Sequence, residues 1–169
     1  MPSLLDVNAA RLRELHDAIR ETFRARDESA EARTRWSDAC KRFHHEYDGL
    51  AFPGGLTKGL DRLRAHDPEA IEIAIQFLEV DPYFFRSGYI KTDLLRRLKR
   101  ASLTKSQQQR LRNVILARIS GPDRRELRHY CRLAAALATP AFRMELEAMA
   151  TAADARTARH ARWALAARS

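Results

Sequence analysis

The chain lacks most of what the common function classes require. No stretch approaches the roughly 18 consecutive apolar residues of a membrane-spanning helix, so no membrane is expected among its partners. No segment sustains the β-branched, period-two alternation of a strand, so no sheet is expected. The opening residues, MPSLLDVNAARLREL, have no charged segment ahead of an apolar core, and no secretory signal is expected. Cysteine occurs only twice, and Cys40 and Cys131 both lie within apolar helical stripes. Buried free thiols in a reducing compartment fit that placement better than a disulfide. Together these absences point to a cytoplasmic, bacterial-type protein.

Catalytic and metal motifs are equally sparse. The run GGLTKG, Gly54 to Gly59, lacks the spaced second glycine followed by Lys-Ser/Thr, and no apolar strand precedes it, so it is not read as a phosphate-cradling loop. Cys40 and His44 stand four residues apart on a helix and could supply two metal ligands. No second pair at suitable spacing follows and there is no HExxH, so a packed helix with satisfied histidines is expected, with no metal and no cofactor. Glu46, Asp48 and His129 have no nucleophile placed beside them by the sequence, and no enzyme activity is expected.

What is present is helix-forming residues and positive charge. The 169 residues suit one domain with a real core, 45% of them are apolar, and Ala, Leu and Arg dominate. The net charge of +9 is unevenly placed: residues 86–132 hold 14 Lys and Arg against 3 Asp and Glu, more than the whole excess. Charge concentrated in this way favours an anionic partner. An Arg-rich solvated surface would give the same count.

Residues 6–48 contain no Gly or Pro. Leu12, Leu15, Ile19, Trp36, Cys40, Phe43, Tyr47 and Leu50 fit one register of three- and four-residue steps, which also passes through the polar Arg26, Ser29 and Arg33. Either one long helix or a hairpin turning near Asp27-Glu28-Ser29 satisfies this pattern, and the missing breakers favour the long helix. Residues 49–66 form a boundary, where Pro53-Gly54-Gly55 forces a turn and Thr57 is placed to cap a short helix with Leu56, Leu60 and Leu63 inward.

From residue 67 the chain repeats itself. Asp67-Pro68, Thr104 and Thr139-Pro140 are helix-start signals at similar intervals, each followed at the same offsets by an apolar pair: Ala74 and Leu78, Leu111 and Ile115, Leu146 and Ala150. Partner helices are expected near 88–101, 123–138 and 154–168, making three hairpins over 67–169. Leu94, Leu98, Leu111, Ile115 and Leu127 are expected in the core.

The pattern Asp67-Pro68…Ala74…Leu78, Thr139-Pro140-Ala141-Phe142-Arg143…Leu146 and Asp154…Ala161…Leu165 resembles the HEAT-like or armadillo-like class of α-helical repeats. That resemblance covers about 100 residues. It implies an all-α, right-handed α-α superhelix of three hairpins, here preceded by the long helix or hairpin of residues 1–48. It also implies that the second helices of the hairpins line up on one surface that binds large partners. Arg96, Lys99 and Arg100 oppose the apolar stripe of their helix, as do Arg125, Arg128 and Arg132, and Arg156, Arg159 and Arg162 are placed to extend the strip. The aromatic turn before them carries Tyr83, Phe84, Phe85, Arg86 and Tyr89, residue types enriched at interface hot spots. The expected partner-binding set is Arg86, Tyr89, Arg96, Lys99, Arg100, Arg125, Arg128, Arg132 and Arg159. An acidic protein held in an adaptor or inhibitor role is the favoured partner. Nucleic acid contacted through phosphates is the alternative; the strip itself shows no aromatic residue on which bases could stack, which argues against single-strand binding.

Overall fold

The computed structural model describes residues 1–168. Among these the chain is wholly helical, with nine α-helices and no strand, and no helix is long and apolar enough to cross a membrane. It divides into two compact units. One comprises Met1–Arg62 with Val80–Ser87; the other comprises Leu63–Glu79 and everything from Gly88 onward.

The first unit is built on α1 (Leu4–Phe23) and α2 (Ala30–Ala51), which pack against each other. The long helix favoured by the sequence is therefore replaced by the hairpin. Ser29 turns extended, and its hydroxyl accepts the N–H of Ala32 at 3.0 Å, which caps α2 and makes a fresh start possible without Gly or Pro. The Arg26 guanidinium lies 3.7 Å from the centre of the Phe23 ring, and Phe23 meets Trp36 edge-on across the turn. Leu5, Ala9, Leu12 and Leu15 of α1 are buried with Ala32 and Phe43 of α2, and Arg11 grips Glu46 through two hydrogen bonds.

In the same unit, α3 (Leu56–Arg64), whose last two residues belong to the second unit, is capped from a distance. Asp48 accepts both the N–H and the hydroxyl of Thr57, at 3.0 and 2.7 Å, so Asp48 does the capping expected of Thr57. Gly54 and Gly55 have φ of 79° and 94°, the left-handed region the turn requires. Gly59 has a different role: a Cβ there would lie 2.4 Å from the fully buried Phe52 ring. In the 80–87 segment Phe84 is buried, while Phe85 stays half exposed and stacks on His16. The Ser87 hydroxyl accepts the Phe84 N–H rather than capping the helix that follows.

The second unit holds α4 (Pro68–Val80), α5 (Ser87–Leu98), α6 (Lys105–Ile119), α7 (Leu127–Ala136), α8 (Pro140–Ala150) and α9 (Ala155–Ala166). Each predicted start has its cap. Asp67 accepts the N–H groups of Glu69 and Ala70, Thr104 forms a capping box with Gln107, Thr139 accepts from Phe142, and Asp154 from Thr157. α5 and α7 are shorter than expected, since α5 stops at Leu98 and residues 123–126 form a turn before α7.

Leu94, Leu98, Leu111, Ile115 and Leu127 are all buried. α6 packs on α7, α8 on α9, and α7 directly on α9. Arg110 of α6 ties back to α4, with two bonds of 2.7 Å to Glu79 and one of 2.6 Å to Glu72; the latter drives the Glu72 carboxyl below its usual range.

Truncating Leu111 to Ala should cost about 2–5 kcal/mol in denaturant melts. Gly59→Ala should also destabilise, by about 1–3 kcal/mol, because overpacking against Phe52 outweighs the gain in helix propensity. An unchanged or raised midpoint for Gly59→Ala would show that the Phe52 ring moves aside freely.

Candidate functional site: an arginine-lined groove

A concave feature of the second unit lies along α7 and α9. It is a groove of about 770 Å³ lined by Arg124, Arg125, Arg128, Arg132, Arg159 and Arg168, and among the described residues Asp123 is its only carboxylate. Leu127, Cys131, Trp163 and Ala167 supply apolar lining. Helical spacing puts these groups together. Arg128 and Arg132 are one turn apart on α7, as are Leu127 and Cys131, and Arg159 and Trp163 are one turn apart on α9. Leu127 and Cys131 are buried, whereas the arginines are exposed or half-buried and Trp163 is half exposed.

The position of α9 is fixed by a buried histidine. His160 has no solvent exposure; its Nδ1 lies 3.0 Å from the Ile119 carbonyl oxygen and its Nε2 lies 2.5 Å from the Asp123 carboxylate. Arg159 donates to both oxygens of the same carboxylate, at 2.9 and 3.1 Å. His160 and then Arg159 hold the Asp123 carboxyl below its ordinary range. Asp123 is thereby committed within the fold, which leaves the groove dominated by guanidinium groups. His160 also stacks on Trp163, and the Arg159 guanidinium stands 5.4 Å from the Trp163 ring centre.

The nine expected residues separate in the structure. Arg125, Arg128, Arg132 and Arg159 line the groove. Tyr89 is exposed; its hydroxyl accepts a hydrogen bond from Arg125, whose guanidinium lies 5.3 Å from the ring centre. Arg96 and Arg100 line a second, smaller recess of about 300 Å³ with Arg64, His66, Asp93 and Arg97. Lys99 is exposed and lines neither. Arg86 belongs to the other unit, where it is exposed and holds a φ of 68°, uncommon for a residue with a side chain. Two further expectations need correction. Arg162 does not extend the strip but donates to the Ala150 carbonyl at the end of α8. Trp163 places an aromatic face in the groove, which the sequence reading had held to be absent; its four-residue offset from Arg159 was the available signal.

Elsewhere, His44 and His45 are exposed rather than packed. No group of three or more His, Cys, Asp or Glu among the described residues could hold a metal ion. Comparison with family models, with curated proteins and with solved structures gives no match to this chain.

Behind the groove, His129 is buried and its Nε2 accepts from the Arg128 Nε at 3.3 Å. Burial lowers its pKa from the ordinary 6.5, and the charges of Arg128, Arg132 and Arg96 lower it further against a smaller opposing effect of Asp93. Below 6.5 the unfolded chain binds the proton more readily than the folded one. This contribution to stability is therefore complete above about pH 6.5 and shrinks as pH falls. His129→Gln, which keeps an acceptor but does not titrate, should flatten the decline in melting midpoint between about pH 6.5 and 5. An identical decline in both proteins would show that His129 is not its source.

Proposed function

We propose that the chain is a non-catalytic binding module of the helical-repeat type, and that it holds an acidic protein partner in the α7–α9 groove. An adaptor, or an inhibitor that neutralises the partner by occupying it, is the role in view. The observation that carries this reading is the groove's composition among the described residues: six arginines around an apolar lining with a half-exposed tryptophan, and a single carboxylate already engaged by His160 and Arg159. Arg and Trp over a desolvated apolar patch are what protein interfaces concentrate at their energetic centres.

Binding rather than turnover is supported by the titration behaviour of the lining. The Asp123 carboxyl is held low, and burial pushes the Cys131 thiol up to about 11. Neither of these two groups is poised to exchange a proton near neutrality. Contacts between equivalent positions of successive hairpins support a solenoid-like stacking. Arg125 meets Tyr89 and Arg159 meets Asp123, both pairs 36 residues apart. A reducing, cytoplasmic setting belongs to the same proposal and rests on the two unpaired cysteines.

One observation favours a second reading. Trp163 offers a stacking face among cations, which suits a nucleic acid contacted through its phosphates. The two readings part on reversal of Arg125, Arg128 and Arg132 to Glu. For an acidic protein partner, the triple variant should release a specific copurifying protein that survives nuclease treatment of the wild-type complex. For a duplex engaged through about five phosphates, binding should instead weaken with salt at a log–log slope near −4 to −5 and vanish in the variant. A sub-micromolar nucleic-acid complex at physiological salt, lost in the variant, would overturn the protein-binding reading. A folded variant that changes neither interaction would overturn both.

A further inference from the structure

The form of the partner follows from the dimensions and chemistry of the groove. Its α7 side runs from Arg125 to Arg132 and its α9 side from Arg159 to Ala167 and Arg168. At about 1.5 Å per helical residue, the helical part of the α9 wall, Arg159 to Ala166, extends for about 10 Å, or two helical turns. Within that length an extended peptide advances only about three residues, at about 3.4 Å each, and turns at most two side chains to one face. A helix of the same length presents residues i, i+3, i+4 and i+7 to one face. Only the helix supplies enough carboxylates in this space to meet Arg125, Arg128, Arg132 and the remaining guanidinium groups.

Spacing agrees with number. Arg128 and Arg132 stand one turn apart on α7, the same step at which carboxylates recur on one face of a partner helix, and Arg125 lies in the turn just before α7. A phosphodiester backbone matches the charge density, at about 3.4 Å of axis per phosphate on each strand. It has nothing apolar to lay against Leu127, Cys131 and Ala167, whereas an amphipathic helix carries an apolar residue between its charged ones. Among the described residues no carboxylate pairs with Arg128 or Arg132, so their charge is available to an incoming partner.

We propose that the groove receives an acidic amphipathic helix of the partner. Its carboxylates, at i, i+3 and i+7, oppose Arg125, Arg128 and Arg132, and an apolar side chain between them packs on Trp163, Leu127 and Cys131. This inference rests on the acidic-partner reading above and specifies the partner's conformation.

The test uses the full chain and a labelled helical peptide of about four turns with Glu at i, i+3 and i+7 and Leu between. Three other probes accompany it: the same composition with a central Pro that breaks the helix, the helical peptide with Gln in place of Leu, and a duplex oligonucleotide. Anisotropy of the labelled probes is read at physiological salt. The helical peptide should bind at least about tenfold tighter than the Pro and Gln peptides, a difference of about 1.4 kcal/mol. It should lose binding to Arg128→Glu/Arg132→Glu, and that variant should bind the peptide whose Glu residues are replaced by Lys. The charge swap keeps the test decisive, because a misfolded variant would bind neither peptide.

Equal binding of the helical and Pro peptides would overturn the helical conformation while leaving the acidic-partner reading in place. Equal binding of the Leu and Gln peptides would overturn the apolar anchor. Tight binding of the oligonucleotide with none to any acidic peptide would overturn both the inference and the reading on which it rests, and so would the absence of all binding.

Discussion

The His160–Asp123 contact is the constraint on which the groove depends. A fully buried imidazole joins the end of α6, through the Ile119 carbonyl, to the turn before α7, through Asp123. Buried polar groups are costly unless paired, so α9 is strongly favoured where both ring nitrogens find partners. With the ring held there, its helical neighbours are placed as a consequence. Arg159 closes on the same carboxylate, and Trp163, one turn on, stacks on the imidazole and enters the groove opposite Arg128 and Arg132. The Asp123 carboxylate that lines the groove is thus also the group that positions one wall of it.

A second consequence concerns charge. More than the whole basic excess of the chain lies in residues 86–132, yet much of it is used internally. Arg110 is clamped by Glu72 and Glu79, Arg112 donates to the Leu137 carbonyl, and Arg125 leans on Tyr89. The cations left at the groove are therefore fewer than a count along the sequence suggests, but they are gathered over an apolar lining. Burial drives the Cys131 thiol toward its protonated form, and the field of Arg96, Arg128 and Arg132 adds to the burial that holds His129 neutral. The surroundings of the groove are tuned to keep positive charge at its rim and neutral groups beneath it.

Much of this was legible in the sequence because caps and apolar stripes are local. Asp67, Thr104, Thr139 and Asp154 mark helix starts through hydrogen bonds spanning two or three residues, and the core leucines follow from helical spacing alone. The arginines of α7 were readable for the same reason. The turn at residues 24–28 was not, since the apolar register continues unbroken across it and its signal is a lone serine cap supported by contacts between Phe23, Arg26 and Trp36. Asp48 capping α3 and Trp163 entering the groove depend on where separate elements meet, which no local pattern encodes. That Arg96, Lys99 and Arg100 do not line the groove has the same origin: a helical wheel fixes the face a residue occupies on its own helix but not which faces adjoin.

The central claim is that acidic chains engage the α7–α9 groove in preference to the other basic surfaces. It is tested most directly by NMR of the Trp163 indole N–H and the arginine Nε–H signals during titration with polyglutamate. Engagement at the groove predicts that Trp163, Arg128, Arg132 and Arg159 shift together and saturate at one concentration, with Arg96, Arg100 and the α1 arginines unmoved. Shifts centred on Arg96 and Arg100, or spread evenly over all the arginines, would contradict it.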